Sequence, residues 1–181
     1  MKVLLHLAPG FEEIEAVTTI DILRRADINI EVVSIIDCLH VVGAHGIDIR
    51  ADIGFDRANY DNADMIILPG GQPGSHNLSK HKGLEEKILA HYEKGKWLAA
   101  ICAAPLVYGR LGLLEGVEAI CYPSFEPELK GAKISEDIVV VSGNFITGKG
   151  PGVTMDFALE IVKQLKGEEK AKQIAQGLIK Q

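Results

Sequence analysis

With 181 residues, 47% hydrophobic and 24% charged, the chain fits one domain with a sizeable core and lacks the composition of a disordered protein. Its net charge of −6, with no basic run longer than a pair such as Arg24-Arg25, argues against a nucleic-acid or anionic-membrane surface. Three cysteines at unrelated spacings, Cys38, Cys102 and Cys121, argue against a disulfide framework or a zinc site. With an opening apolar stretch too short for a signal peptide and no run long enough to span a bilayer, they lead us to expect a reducing cytoplasm.

Strand and helix patterns alternate along the chain. Val3–Ala8 is an apolar run closed by Pro9-Gly10 and reads as a buried strand. Glu12 to Ala26 reads as a helix, with an acidic first turn and Arg24-Arg25 at its end to suit the dipole. Ile30–Ile36 is a second strand pattern, and Val41 to Ile49, punctuated by Gly43 and Gly46, looks like a hairpin. Met65–Leu68 is a third core strand, stopped by Pro69-Gly70-Gly71. Leu84–Tyr92 is helical, with Gly95 where a C-cap belongs, and Leu98–Ile101 is a strand again. Ala119–Tyr122 and Ile138–Val141 read as strands, the latter forming a hairpin with Phe145–Thr147 across Ser142-Gly143-Asn144. Helices over 153–166 and from Glu168 to about Ile179 follow. Such alternation predicts parallel βαβ units with helices on both faces of the sheet, and chemistry at the carboxyl ends of the strands. Pro9-Gly10, Pro69-Gly70-Gly71 and Cys102 all belong at that edge, so one site is expected.

The most informative residue is Cys102. The apolar run Leu98–Ile101 stops at it, and a helical pattern (Leu106, Val107, Arg110, Leu111, Leu114) begins at once. A thiol is thereby placed at a tight strand-to-helix turn, where unpaired backbone N–H groups favour negative charge. A thiolate is the reactive form, and a pKa lowered by about 3 units would represent about 4 kcal/mol. A helix terminus supplies only about 0.3–1 kcal/mol. The thiol therefore needs a second partner.

Three segments taken together, Ala8-Pro9-Gly10-Phe11-Glu12-Glu13-Ile14-Glu15-Ala16, Leu68-Pro69-Gly70-Gly71 and Ala99-Ala100-Ile101-Cys102-Ala103-Ala104-Pro105, extend the pattern beyond fold class. With Gly148-Lys149-Gly150-Pro151-Gly152 and the helix after it, the chain resembles the DJ/ThiJ/PfpI superfamily, in the branch of the Parkinson-associated protein deglycase and its bacterial relatives. The resemblance runs in register from about Lys2 to Leu165. It implies one ThiJ/PfpI-type domain over residues 1–181, a flavodoxin-like doubly wound, mostly parallel sheet with a nucleophile elbow, a homodimer and no organic cofactor. It makes Cys102 the reactive thiol and Glu15 the carboxylic acid that donates to its sulfur. Gly70, Gly71 and Ala103 become backbone donors to an oxyanion or a sulfinate. Small dicarbonyls or glycated adducts are the implied substrates, with a glyoxalase- or deglycase-type reaction. An oxidative-stress sensor or redox-regulated chaperone, working through Cys102 sulfinate, is the alternative.

Two positions depart from the family pattern. Peptidase-like members carry a histidine after the nucleophile, where this chain has Ala103, so a cysteine peptidase is the least favoured reading. Deglycase-branch members often set a histidine just before a proline beside the cysteine, where this chain has Tyr122-Pro123. Tyrosine is a poor general base at neutral pH, which shifts acid–base work to Glu15. Tyr122, Cys121 and His45 are candidate walls of the site. His76 and His81 lie in a polar stretch without a carboxylate set and read as surface residues, so no metal is expected. Glu12 and Glu13 read as solvated partners of the helix dipole, and Gly148, Gly150 and Gly152 as a packing turn.

Overall fold

The computed structural model describes residues 1–180. The first half contains β1 (Lys2–Leu7), α1 (Glu13–Arg25), β2 (Asn29–Ser34), β3 (His40–Val42), β4 (Asp48–Arg50), β5 (Ile53–Gly54), β6 (Met65–Leu68), α2 (Gly74–Lys80) and α3 (Lys82–Glu93). The second half contains β7 (Trp97–Ile101), α4 (Pro105–Arg110), β8 (Glu118–Ala119), β9 (Lys133–Ile134), β10 (Val139–Ser142), β11 (Phe145–Gly148), α5 (Thr154–Lys166) and α6 (Glu168–Gly177).

Seven strands form the central sheet in the order β10-β11-β7-β6-β1-β2-β5. All neighbours are parallel except the hairpin β10–β11. The middle strands β1, β6 and β7 are apolar almost throughout because both faces are covered. Helices α1 and α6 both pack on α5, and α2 packs with α3 and α4. This is the expected flavodoxin-like α/β architecture. Helix α5 buries Phe157, Ala158, Ile161, Val162 and Leu165 along one stripe, the face read from its periodicity. Among the described residues no helix is long and apolar enough to cross a membrane.

The structure corrects two expectations and adds a strand that none foresaw. Of the strand expected over Ala119–Tyr122, only Glu118–Ala119 forms, and it pairs with β9 outside the main sheet. The backbone beyond it is spent elsewhere: Ile120 N–H donates to Thr147 Oγ1 and Tyr122 N–H to the Cys102 carbonyl. The polar stretch around His76 and His81 contains a helix, α2, whose weak formers Gly74, Ser75 and Asn77 hide it from propensity. His81 caps the next helix, its Nδ1 accepting from Leu84 N–H at 3.0 Å. Strand β5 has only two residues and carries no readable period.

Candidate active site

The ends of β1, β6 and β7 lie side by side, and their following loops build the site. Strand β7 is held in register by β11 up to the pair Ile101–Gly148. The next residue, Cys102, turns sharply into the left-handed region, with φ +63°. For a residue with a Cβ this conformation costs on the order of 1–2 kcal/mol, and it persists because both neighbours fix it. Cys102 N–H donates to the Gly148 carbonyl at 2.9 Å, and its own carbonyl accepts from Tyr122 N–H at 2.8 Å. The predicted elbow is thus present. The helix behind it, α4, is only six residues long, with Pro105 in its first turn.

Glu15 comes from the first turn of α1 and is fully buried. Its Oε2 accepts from Gly70 N–H at 2.7 Å, while Oε1, buried too, has no partner of its own. Cys102 lies beside the carboxyl within hydrogen-bonding reach. Gly70 is what lets the pair meet: a Cβ there would sit 2.6 Å from Cys102 Cβ and 2.7 Å from Glu15 Oε2. Burial pushes the Glu15 carboxyl up to about 7, with the Glu12 charge adding to it, against the pull of Gly70 N–H and Cys102. The expectation for the thiol is reversed. Burial, then the Glu15 carboxylate, push the Cys102 thiol above its ordinary value, and only Gly71 and Ala103 N–H pull it down. A six-residue helix does not outweigh that desolvation.

The two groups therefore titrate as a coupled pair. While Glu15 is ionised, the thiol keeps its proton. When the shared proton sits on Glu15, the same contact becomes an O–H donor to a thiolate that also faces Gly71 and Ala103 N–H. The donor set is also corrected. Gly71 and Ala103 N–H address the sulfur, but Gly70 N–H is already committed to Glu15.

Residues 1–164 match the model of the DJ-1/PfpI family. The chain belongs to that family. It is 41% identical over 180 residues to Protein DJ-1 homolog B of Arabidopsis thaliana, covering 98% of this chain but only 41% of that one, so it spans less than half that relative's length. Identity to the glutathione-independent glyoxalase DJR-1.2 of Caenorhabditis elegans is 32% over 169 residues, covering 92% of this chain and 89% of that protein. The solved structure of oxidized Toxoplasma gondii DJ-1 superimposes with a TM-score of 0.95 at 37% identity, over 99% of this chain and 98% of that one.

In this DJ-1/PfpI member the remaining candidates are dispersed. Tyr122 is exposed, its ring against Gly150, where a Cβ would meet Cδ2 at 3.2 Å. It lines a shallow recess of about 260 Å³ with Pro123 and Lys149–Val153. Cys121 is buried, and burial with the Glu126 charge pushes its thiol up to about 12. His45 stands on the β3–β4 turn and meets Glu13 and Glu12 rather than the sulfur: Nδ1 is 2.9 Å from Glu13 Oε2 and 3.6 Å from Glu12 Oε2. Cys38 is exposed. A cleft of about 470 Å³ opens among Ile35–Asp37, Leu39, Asp52–Arg57 and His81, and no predicted site residue lines it.

Glu13 was missed. Instead of facing solvent it is 5% exposed, and its Oε1 accepts from His45 and Ile47 N–H, locking the hairpin onto α1. A Cβ on Gly43 would overlap that carboxylate, so glycine there was the available clue.

Proposed function

We propose that the chain is a cysteine-dependent enzyme that converts small 2-oxoaldehydes of the methylglyoxal type to hydroxy acids, or performs the same chemistry on glycated adducts. The observation that carries this reading is the buried Glu15 carboxyl, poised near neutrality in contact with the Cys102 sulfur. Cys102 thiolate adds to the aldehyde carbon while the Glu15 proton goes to the carbonyl oxygen, giving a hemithioacetal. Glu15, now a carboxylate, removes the hydrogen of that carbon. Its return to the neighbouring ketone carbon yields a thioester of the hydroxy acid. Water then releases the acid and restores the thiol. One carbon is oxidised as the other is reduced, so the sequence balances without an external redox partner. Gly71 and Ala103 N–H, which address the sulfur, stabilise the oxyanion on the adjoining carbon when water attacks the thioester. The glyoxalase name of the Caenorhabditis elegans relative supports the substrate class.

Exposed Ile14 and Val17 on α1, with Val42 and Ile47 on the adjoining hairpin, support a homodimer through this face. We place the chain in a reducing cytoplasm, the setting that suits a free thiol that must stay unoxidised. A second reading, redox sensing, draws on the same N–H groups, which would equally hold sulfinate oxygens on Cys102.

The test is lactate formation from methylglyoxal by freshly reduced protein, beside Cys102→Ser, Glu15→Gln and Tyr122→Phe. Turnover lost in the first two and kept in the third is expected. Wild-type turnover in Cys102→Ser would end this reading. Activity absent from every form, with peroxide adding two oxygens to Cys102 alone, would favour the sensor.

A further inference from the structure

Two carboxylates and an imidazole converge at the start of α1, outside the thiol site. Glu12 and Glu13 are consecutive, and His45 arrives from the β3–β4 turn; their nearest ligand atoms all lie within 4.8 Å of one another. His45 Nδ1 is placed between the two acids, 2.9 Å from Glu13 Oε2 and 3.6 Å from Glu12 Oε2. Ligand atoms arranged tetrahedrally around a zinc ion stand about 3.3 Å apart, a value these two distances bracket.

Charge points the same way. Glu13 is 5% exposed, and among the described residues no lysine or arginine pairs with it or with Glu12. Burying a carboxylate next to another, with only one imidazole between them, is costly unless positive charge is supplied. A single proton on Nδ1 satisfies one of the two acids; a divalent ion in its place satisfies both. Glu13 is already fixed for that role. Its Oε1 is held by His45 and Ile47 N–H, which leaves Oε2 to face the gap. This is the outer-shell support that keeps a ligating carboxylate in place.

We propose that Glu12, Glu13 and His45 form a site for a divalent transition-metal ion of the zinc class, with water completing its coordination. One imidazole and two carboxylates suit Zn²⁺, Co²⁺ or Mn²⁺ better than the oxygen cages that Ca²⁺ prefers. The ion ties α1 to the hairpin and takes no part in the thiol reaction. The expectation of no metal rested on the cysteine spacings and on His76 and His81, and did not weigh this cluster.

The experiment is calorimetric titration of reduced, chelator-stripped full-length protein with Zn²⁺, in parallel with His45→Ala and Cys102→Ser. The His45 side chain is 69% exposed, so its truncation leaves the core untouched. One Zn²⁺ per chain, weakened at least about tenfold in His45→Ala and unchanged in Cys102→Ser, is expected. Co²⁺ should give visible d–d bands without a thiolate charge-transfer band. Absence of saturable binding, binding indifferent to His45→Ala, or binding lost in Cys102→Ser with a thiolate band would overturn the proposal. The readout is independent of whether the thiol turns over dicarbonyls.

Discussion

Replacing Glu15 by glutamine tests the coupled pair through stability rather than turnover. Glutamine keeps an acceptor for Gly70 N–H and presents a neutral group of the same shape to Cys102. In the folded protein the carboxyl titrates near 7, against an ordinary value of 4.5. Below pH 4.5 both folded and unfolded chains hold the proton, and Glu15 adds nothing to the pH dependence. Between 4.5 and 7 the unfolded chain has released a proton that the folded chain keeps, so stability falls as pH rises. Above 7 the full cost applies: a rise from 4.5 to about 7 corresponds to about 3 kcal/mol. Glutamine does not titrate. The stability of Glu15→Gln relative to wild type should therefore grow by about 3 kcal/mol from pH 4.5 to 8 and level off beyond. Urea unfolding at half-unit pH steps, under reductant and followed by the single tryptophan, Trp97, reads this difference. Cys102→Ala supplies a second arm, because removing a group that pulls the carboxyl down should move the transition to higher pH. A difference between Glu15→Gln and wild type that stays flat from pH 5 to 8 would refute the buried, proton-holding carboxyl.

Gly70→Ala drives a methyl into the contact between Cys102 Cβ and Glu15 Oε2. Thermal unfolding should show about 1–3 kcal/mol of destabilisation from overpacking, with a proportionally larger loss of lactate formation; wild-type turnover would contradict the close approach. His6, fully buried with Nε2 on the Tyr60 hydroxyl, is held by burial to about 3, against 6.5. As pH falls below 6.5 the unfolded chain takes up a proton that the folded chain refuses, so His6→Gln should lose stability less steeply on the acid side, by up to about 1.4 kcal/mol per pH unit. An identical acid slope in urea midpoints would show that His6 accepts the proton while folded.

The doubly wound sheet was legible because its central strands are fully buried and read as apolar runs cut by Pro-Gly, Pro-Gly-Gly and the Cys102 turn. Those cuts fall on the three adjacent strands whose ends build the candidate site, which is why local sequence pointed to that edge of the sheet. What escaped has no local signal. Helix α2 is made of poor helix formers and holds through burial of Leu78. The commitment of Gly70 N–H to a carboxylate 55 residues away is tertiary, as is the grip of Glu13 on a turn 32 residues distant. The thiol's pKa was misjudged because a helix terminus can be seen in sequence, whereas the desolvation that outweighs it cannot.

Glu13 and Glu15 show how protonation is divided within one helical turn. Both are glutamates, both are buried, and burial is the largest upward influence on each. At 100° per residue, side chains two positions apart diverge by more than half a turn, so one meets the hairpin and the other the elbow. Glu13 finds the His45 side chain and the N–H groups of His45 and Ile47, and these donors hold its pKa below the ordinary value. Glu15 finds one backbone N–H and a weakly donating thiol, too little to offset its desolvation, and its pKa rises. Hydrogen-bond supply, rather than burial, thus decides which carboxyl keeps its proton. The well-supplied acid stays charged and suits a structural or cation-binding role. The under-supplied one, with Oε1 unpartnered, holds a proton that it can release near neutrality, next to Cys102.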